Sequence, residues 1–356
     1  MQDCLDQLDK SENLEKYRTA GNIVCKVLDK LIKLTKPNAN IYDLCKKGDN
    51  CINNEVEQVY RNTKLEFGKG IAFPTCVSRN NYVGFYSPIE KEQKIEYGDI
   101  VNIELGVHID GFPAIVGYTV VVNNNGEDYS DDKVKVVKAV IEASKNVLSL
   151  FKDGKKNTNI VSCVKETADK YNCNLLYMDN PDHKAPGVIS YQVSQNIIYD
   201  DNEDGDGDDI HNIILNRERE DYDFTMAETE FIENEVYVID IAMSSGNGKI
   251  NQTEDKTTIY KRNHNKRYNL KLKASKNAIN KFSKNKFPVN IRDLNDTKLS
   301  FGLNECVNNG ILEPFNVYST KKDDYIAQVK FTVIVKRKKP ILITGRSGDN
   351  ELKKFE

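Results

Sequence analysis

No apolar run in this 356-residue chain is long enough to span a bilayer, and no basic, apolar leader opens it. Those absences argue against membrane-embedded and secreted proteins and lead us to expect a cytoplasmic or nuclear one. The eight cysteines form no C-x-x-C pair. That sets aside zinc ribbons and dithiol redox motifs, and leaves free thiols in a reducing compartment as the expectation. Tryptophan is absent, which carries no mechanism. Histidine is scarce: His108, His183, His211 and His264 are the only four, so a histidine-based site has few candidates. Net charge is also small, at −3 with 29% charged residues, and the whole-chain balance selects no partner.

What is present reads as one large mixed α/β domain. Leu14, Tyr17, Ile23, Val24, Val27, Leu28 and Leu31 recur at three- and four-residue spacing and predict a helix over 14–33. Further helices are expected over 41–60, 131–152 and 158–171. Pro74 and the glycines at 68 and 70 predict extended chain there. Ile100–Gly106 and Val116–Val122 read as a hairpin around Asp110-Gly111. A strand is expected over 235–242. It repeats the pattern of 99–106, with an acid, apolar residues, and a second acid five positions on (Glu104, Asp240). Such a repeat suits a fold of two related halves.

Two segments differ in composition from the rest. Residues 200–209 are almost wholly acidic. Counted from Asp204, the glycine and glutamate positions of a calcium loop hold Asp209 and Leu215, so the segment reads as a solvated insertion. By contrast, Lys256 to Lys286 contains no acid and eleven Lys or Arg residues, interleaved with Tyr260, His264, Tyr268 and Phe282. Lysine and arginine neutralise phosphates, and aromatic rings stack on exposed bases. A solvated basic helix face is the competing reading. Lys336-Arg-Lys-Lys339 is a second basic run, open to either patch extension or a nuclear address.

An ordered set of motifs resembles the proliferation-associated, ErbB-receptor-binding protein family, a non-peptidase offshoot of type 2 methionine aminopeptidases. The motifs are Gly70-Ile-Ala-Phe-Pro-Thr75, Asn80-Asn81, Gly98-Asp99, Leu105-Gly-Val-His-Ile-Asp-Gly111, Ser244-Ser-Gly246, Thr257-Thr-Ile-Tyr-Lys-Arg262, Leu312-Glu-Pro-Phe-Asn-Val317 and Ala327-Gln-Val-Lys-Phe-Thr332. The resemblance implies a pita-bread fold, two pseudo-symmetric halves with curved antiparallel sheets flanked by helices. It places that domain at 16–345, between a flexible segment 1–15 and a tail 346–356, with a basic insertion subdomain at about 256–312.

The resemblance also implies where two divalent metals sit in the enzymes. Their ligand positions align with Glu104, Ile115, Val188, Asp240 and Lys330, and a substrate-handling histidine with Phe85. Isoleucine and valine offer no lone pair and an ammonium cannot ligate, so no metal, no cofactor and no catalysis are expected. Lys330 is expected between Glu104 and Asp240, holding two half-sheets together, with snorkelling to solvent as the alternative. Phe85, Tyr86, His108 and Tyr191 are candidate cleft-lining residues.

The resemblance further implies RNA contact on the ribosome. Lys261, Arg262, Lys266, Arg267, Lys271, Lys273 and Lys276 are the candidate RNA-binding residues. The expected function is non-catalytic binding of structured RNA (rRNA, with mRNA and DNA left open) and of the large ribosomal subunit, in translation, ribosome biogenesis and growth regulation. The protein would be a cytoplasmic monomer with a nuclear or nucleolar pool and no membrane partner. A peptide- or protein-binding module using the inactive cleft is the alternative, and an active metallo-aminopeptidase the third reading.

Overall fold

The computed structural model describes residues 8, 10–178, 188–198, 209–210, 213–217, 225–294 and 300–346. The acidic segment 200–208, His183, His211 and residues 347–356 lie outside the described residues.

The chain opens with helix α1 (Ser11–Leu34) and helix α2 (Ile41–Val56). α1 starts three residues before the predicted helix, with Asn13 buried. Asn40 caps α2 by accepting from the Asp43 N–H at 3.3 Å. α2 stops short of the predicted Tyr60. Gln58 and Val59 donate to carbonyls three residues back, and Tyr60 takes φ +50°.

Strands β1 (Lys69–Arg79), β2 (Ile100–Ile109) and β3 (Phe112–Val121) follow, and α1 packs on β2 and β3. β2 and β3 form the predicted hairpin, longer than expected, because its turn has only two residues. Asp110 (φ +51°) and Gly111 (φ +82°) give the left-handed pair that a tight hairpin requires.

Helices α3 (Asp131–Leu148) and α4 (Thr158–Lys170) cover the second half. The pattern that extended α3 to 152 includes Phe151, which is fully buried but lies beyond the helix. It is buried by ring packing on Phe231, centroids 4.9 Å apart, after the chain has turned out of the helix.

The second half contributes β4 (Ile189–Ser194), β5 (Ile213–Leu215) and β6 (Val236–Ser244). Strand β7 (Ile259–Arg262), helix α5 (Lys273–Phe282), helix α6 (Ser300–Asn308) and strand β8 (Leu312–Phe315) form a smaller unit. It has its own core of Tyr260, Leu270, Ala278, Phe282, Leu303 and Cys306. Strand β9 (Ile326–Ile334) ends the main sheet.

Among the described residues that sheet has ten strands, with the order β1-β2-β3-β9-β6-β4-β5 along its main path. β9, last in the chain, is inserted between the halves and pairs antiparallel with β6 along its whole length. With β3 it shares the pair Lys330–Gly117. This is a curled antiparallel sheet with helices on it, the pita-bread architecture.

Candidate functional site

One register line crosses the middle of the sheet. Glu104 on β2 faces Gly117 on β3, Gly117 faces Lys330 on β9, and Lys330 faces Asp240 on β6. Side chains in register across neighbouring strands leave the same face of a sheet. Glu104 and Lys330 are therefore two strands apart, with only a glycine between them. A Cβ on Gly117 would lie 2.7 Å from the Lys330 Cβ. A strand-interior glycine marks close approach by another group. Here it clears the way for the lysine to reach across.

Lys330 Nζ donates to Glu104 Oε1 at 2.6 Å and lies 3.0 Å from Asp240 Oδ2. The lysine side chain is only 3% exposed, which excludes snorkelling. Burial alone would push its pKa down, but the Asp240 and Glu104 carboxylates outweigh that, so the ammonium is held well above the ordinary lysine value. Burial pushes the Glu104 carboxyl up, with Lys330 opposing. Gln328, two residues earlier on the same face of β9, donates to Asp240 Oδ1 at 2.7 Å. Sequence reasoning missed Gln328, although its i, i+2 relation to Lys330 in a strand was available.

The other expected metal positions offer no donors. Ile115 is completely buried, and Val188 lines the adjoining cavity with its methyl groups. Two metals close together need bridging carboxylates and lone pairs at the remaining positions. The donor set does not fit them, because an ammonium already takes both carboxylates. Among the described residues no group of three His, Cys, Asp or Glu could hold an ion.

Beside the triad lies a cavity of about 280 Å³. Phe73, Phe85, Tyr191 and Phe315 are among its walls, and Glu104, Asp240, Gln328 and Lys330 line it too. Phe85 sits where a substrate-handling histidine was expected. Its φ is +60°, an unfavourable backbone for a bulky residue, and its ring packs on Phe315 (5.3 Å) and Phe73 (5.7 Å). Tyr191 is buried and its phenol pushed up by that burial.

The other two cleft candidates are placed elsewhere. Tyr86 packs on Tyr82 at 5.1 Å, away from the lining residues, because β1 and its neighbour turn it outward from Phe85. His108 stacks on Phe287 at 4.5 Å, and burial pushes its pKa down to about 4.

The basic segment divides into two parts. Lys261 and Arg262 belong to β7. Lys261 lines the cavity and pairs with Glu313 on β8 at 3.4 Å, while Arg262 donates to the Ile311 carbonyl at 3.1 Å. Lys266, Arg267, Lys271, Lys273 and Lys276 are exposed on the loop before α5 and on α5 itself. Of the interleaved aromatics, Tyr260 and Phe282 are core residues and His264 bonds the Asn285 carbonyl at 2.9 Å. Tyr268 is exposed, at 43%.

This unit is tied to the main domain beside Phe85. Ser87 accepts at its carbonyl from Thr258 Oγ1 (2.8 Å) and Asn290 Nδ2 (3.1 Å). Arg292 pairs with Asp49 of α2 at 2.5 Å. Sequence reasoning singled out neither residue of that pair. Burial pushes Asp49 up to about 6 although Arg292 opposes it.

Comparison with known proteins agrees with this architecture. The family model for metallopeptidase family M24 matches residues 15–183. ErbB-3 binding protein 1 of Arabidopsis thaliana is 38% identical over 332 residues, covering 92% of this chain and 79% of that protein. The proliferation-associated protein A of Dictyostelium discoideum is 30% identical over 338 residues, 93% of this chain and 82% of its own.

The chain belongs to the proliferation-associated, ErbB-3-binding protein family.

A further relative of this family member is the curved DNA-binding protein of Schizosaccharomyces pombe, 32% identical over 95% of this chain and 84% of its own. Among solved structures, a thermophilic Arx1 superposes with TM-score 0.79 at 24% identity, with 97% of each chain covered. The methionine aminopeptidase of Thermotoga maritima does so with TM-score 0.60 at 15% identity, covering 94% of this chain and 97% of that one. Both share the fold.

Proposed function

We propose that the protein is a non-catalytic RNA-binding factor that associates with the large ribosomal subunit and acts in translation, ribosome biogenesis and growth regulation. The observation that carries this reading is the exposed basic face of Lys266, Arg267, Lys271, Lys273 and Lys276 around the exposed Tyr268. Eleven bases without one acid over 256–286 concentrate positive charge on an otherwise near-neutral chain. Such a face gains affinity from counterion release, and a ring within it offers one stacking platform. The name of the fission-yeast relative, a curved DNA-binding protein, supports nucleic acid as the class of partner. The ribosome comes from the family resemblance, as does a cytoplasmic protein with a nuclear or nucleolar pool. The non-catalytic part rests on Lys330, Ile115 and Val188 at positions where the enzymes need donors.

Co-sedimentation with purified large ribosomal subunits tests the reading. Binding at about 0.1 M salt should be lost by about 0.5 M, and lost at low salt when the five bases are replaced by glutamine. Binding that survives both changes overturns the assignment of this face. Release of methionine from a peptide by metal-supplemented protein overturns the non-catalytic part.

A further inference from the structure

The cavity beside the triad carries an unbalanced charge. Its ionisable lining residues are Glu104, Asp240, Glu313, Lys261 and Lys330. Three carboxylates face two ammonium groups, which leaves one excess negative charge in a largely apolar enclosure. Asp240 is fully engaged, with Oδ2 on Lys330 and Oδ1 on Gln328. Glu104 binds Lys330 through Oε1, and no bond to its Oε2 is formed among the described residues. A buried carboxylate oxygen without a donor is unfavourable, and a cationic donor relieves both the charge and the bond.

The walls favour the same kind of occupant. Phe73, Phe85 and Phe315 form a contiguous aromatic cluster, with centroids 5.3–5.7 Å apart. Tyr191 adds another ring. Aromatic faces attract cations most strongly where water is excluded. Lys330 Nζ already lies 5.8 Å from the Phe85 ring. Phe85 holds its place with a left-handed backbone, and strain of that kind concentrates at ligand sites. The volume, about 280 Å³, is at the low end of ligand pockets, so one residue-sized group fills it.

We propose that this cavity binds a small organic ammonium, an aliphatic or aromatic body with one primary amine that donates to Glu104 while its apolar part packs against Phe73, Phe85 and Phe315. Anions are repelled by the excess charge. Neutral isosteres lose the charge-assisted bond.

The test is calorimetric titration of the full chain with 2-phenylethylammonium, 2-phenylethanol and 3-phenylpropanoate. The ammonium should bind at least tenfold more tightly than the alcohol, and the propanoate not measurably. Glu104→Gln should bring ammonium and alcohol within threefold of each other. Phe315→Leu should weaken both together. Unfolding midpoints of the variants establish that they are folded. Equal binding of all three probes, or an unchanged ammonium preference in folded Glu104→Gln, overturns the proposal. A chain N-terminus carries the same ammonium. Phe-Gly-Gly amide binding tenfold tighter than the free amine would overturn a small-molecule ligand in favour of a protein terminus.

Discussion

Replacing Lys330 by methionine should destabilise the protein strongly, and more so at pH 8 than at pH 5. Methionine matches the lysine stem in length, so packing changes little. What changes is charge, since Glu104 and Asp240 are left facing each other with side chains only 6% and 8% exposed. Breaking a buried ion pair from one side costs about 3–5 kcal/mol, against a total stability of roughly 5–15 kcal/mol. With an m-value of ~3 kcal/mol per molar urea, the midpoint falls by on the order of 1 M. The pH dependence follows from the carboxylates. Burial already raises the Glu104 pKa, and loss of the ammonium raises it further. A raised folded pKa gives stability that is complete below the unfolded value, about 4.3, and is lost as pH rises through the folded one. The deficit of Lys330→Met should therefore grow from pH 5 to pH 8. In the native chain the raised Lys330 value keeps its contribution intact until the solution is more alkaline than about 10.4. Urea unfolding followed by circular dichroism at the two pH values reads both effects. Adding Glu104→Gln to Lys330→Met should recover stability at pH 8. Equal midpoints for native and Lys330→Met protein at pH 8 would refute the idea that the lysine joins the half-sheets.

Gly117→Ala should cost about 1–3 kcal/mol or more, because its Cβ meets the Lys330 Cβ rather than the end of a flexible side chain; thermal unfolding checks this. Asp49, pushed up to about 6, contributes stability that is present below about pH 4 and lost above about pH 6. Asp49→Asn should flatten the stability profile across that window by ~3 kcal/mol, as measured by urea titrations at each pH. Tyr268→Ala should weaken binding to RNA with unpaired bases by about 1–3 kcal/mol and leave duplex binding nearly unchanged, as read by fluorescence anisotropy. Glutamine at Lys266, Arg267, Lys271, Lys273 and Lys276 should lower the slope of log affinity against log salt, while exposure of all five predicts an unchanged unfolding midpoint.

The helices were legible in the sequence because one buried stripe at three- and four-residue spacing marks each of them. Their ends were less so. Phe151 fits the α3 stripe yet is buried by contacts made after the helix stops. The site was legible where register follows from strand pattern, as with Glu104, Asp240 and Lys330. It was not legible where a side chain depends on a partner far along the chain. Lys261 reads as one more base, but alternation on β7 turns it toward Glu313 and the cavity. The Tyr260 and Phe282 rings read as stacking platforms, but they fill the core between β7, α5 and α6. The Asp49–Arg292 pair spans 243 residues and left one faint signal, an acid among the core-facing residues of α2.

The lysine in the central row has one further consequence. A cation held by coordination is exchangeable, so the structure it supports depends on its concentration and on competing chelators. The Lys330 ammonium is part of the chain that it braces. It cannot dissociate, be sequestered or be exchanged for a wrong ion, and it is present as soon as the strand is synthesised. Closure of the sheet across Gly117 is thereby uncoupled from the supply of any ion, and a cell starved of trace metals or flooded with them folds this seam equally well.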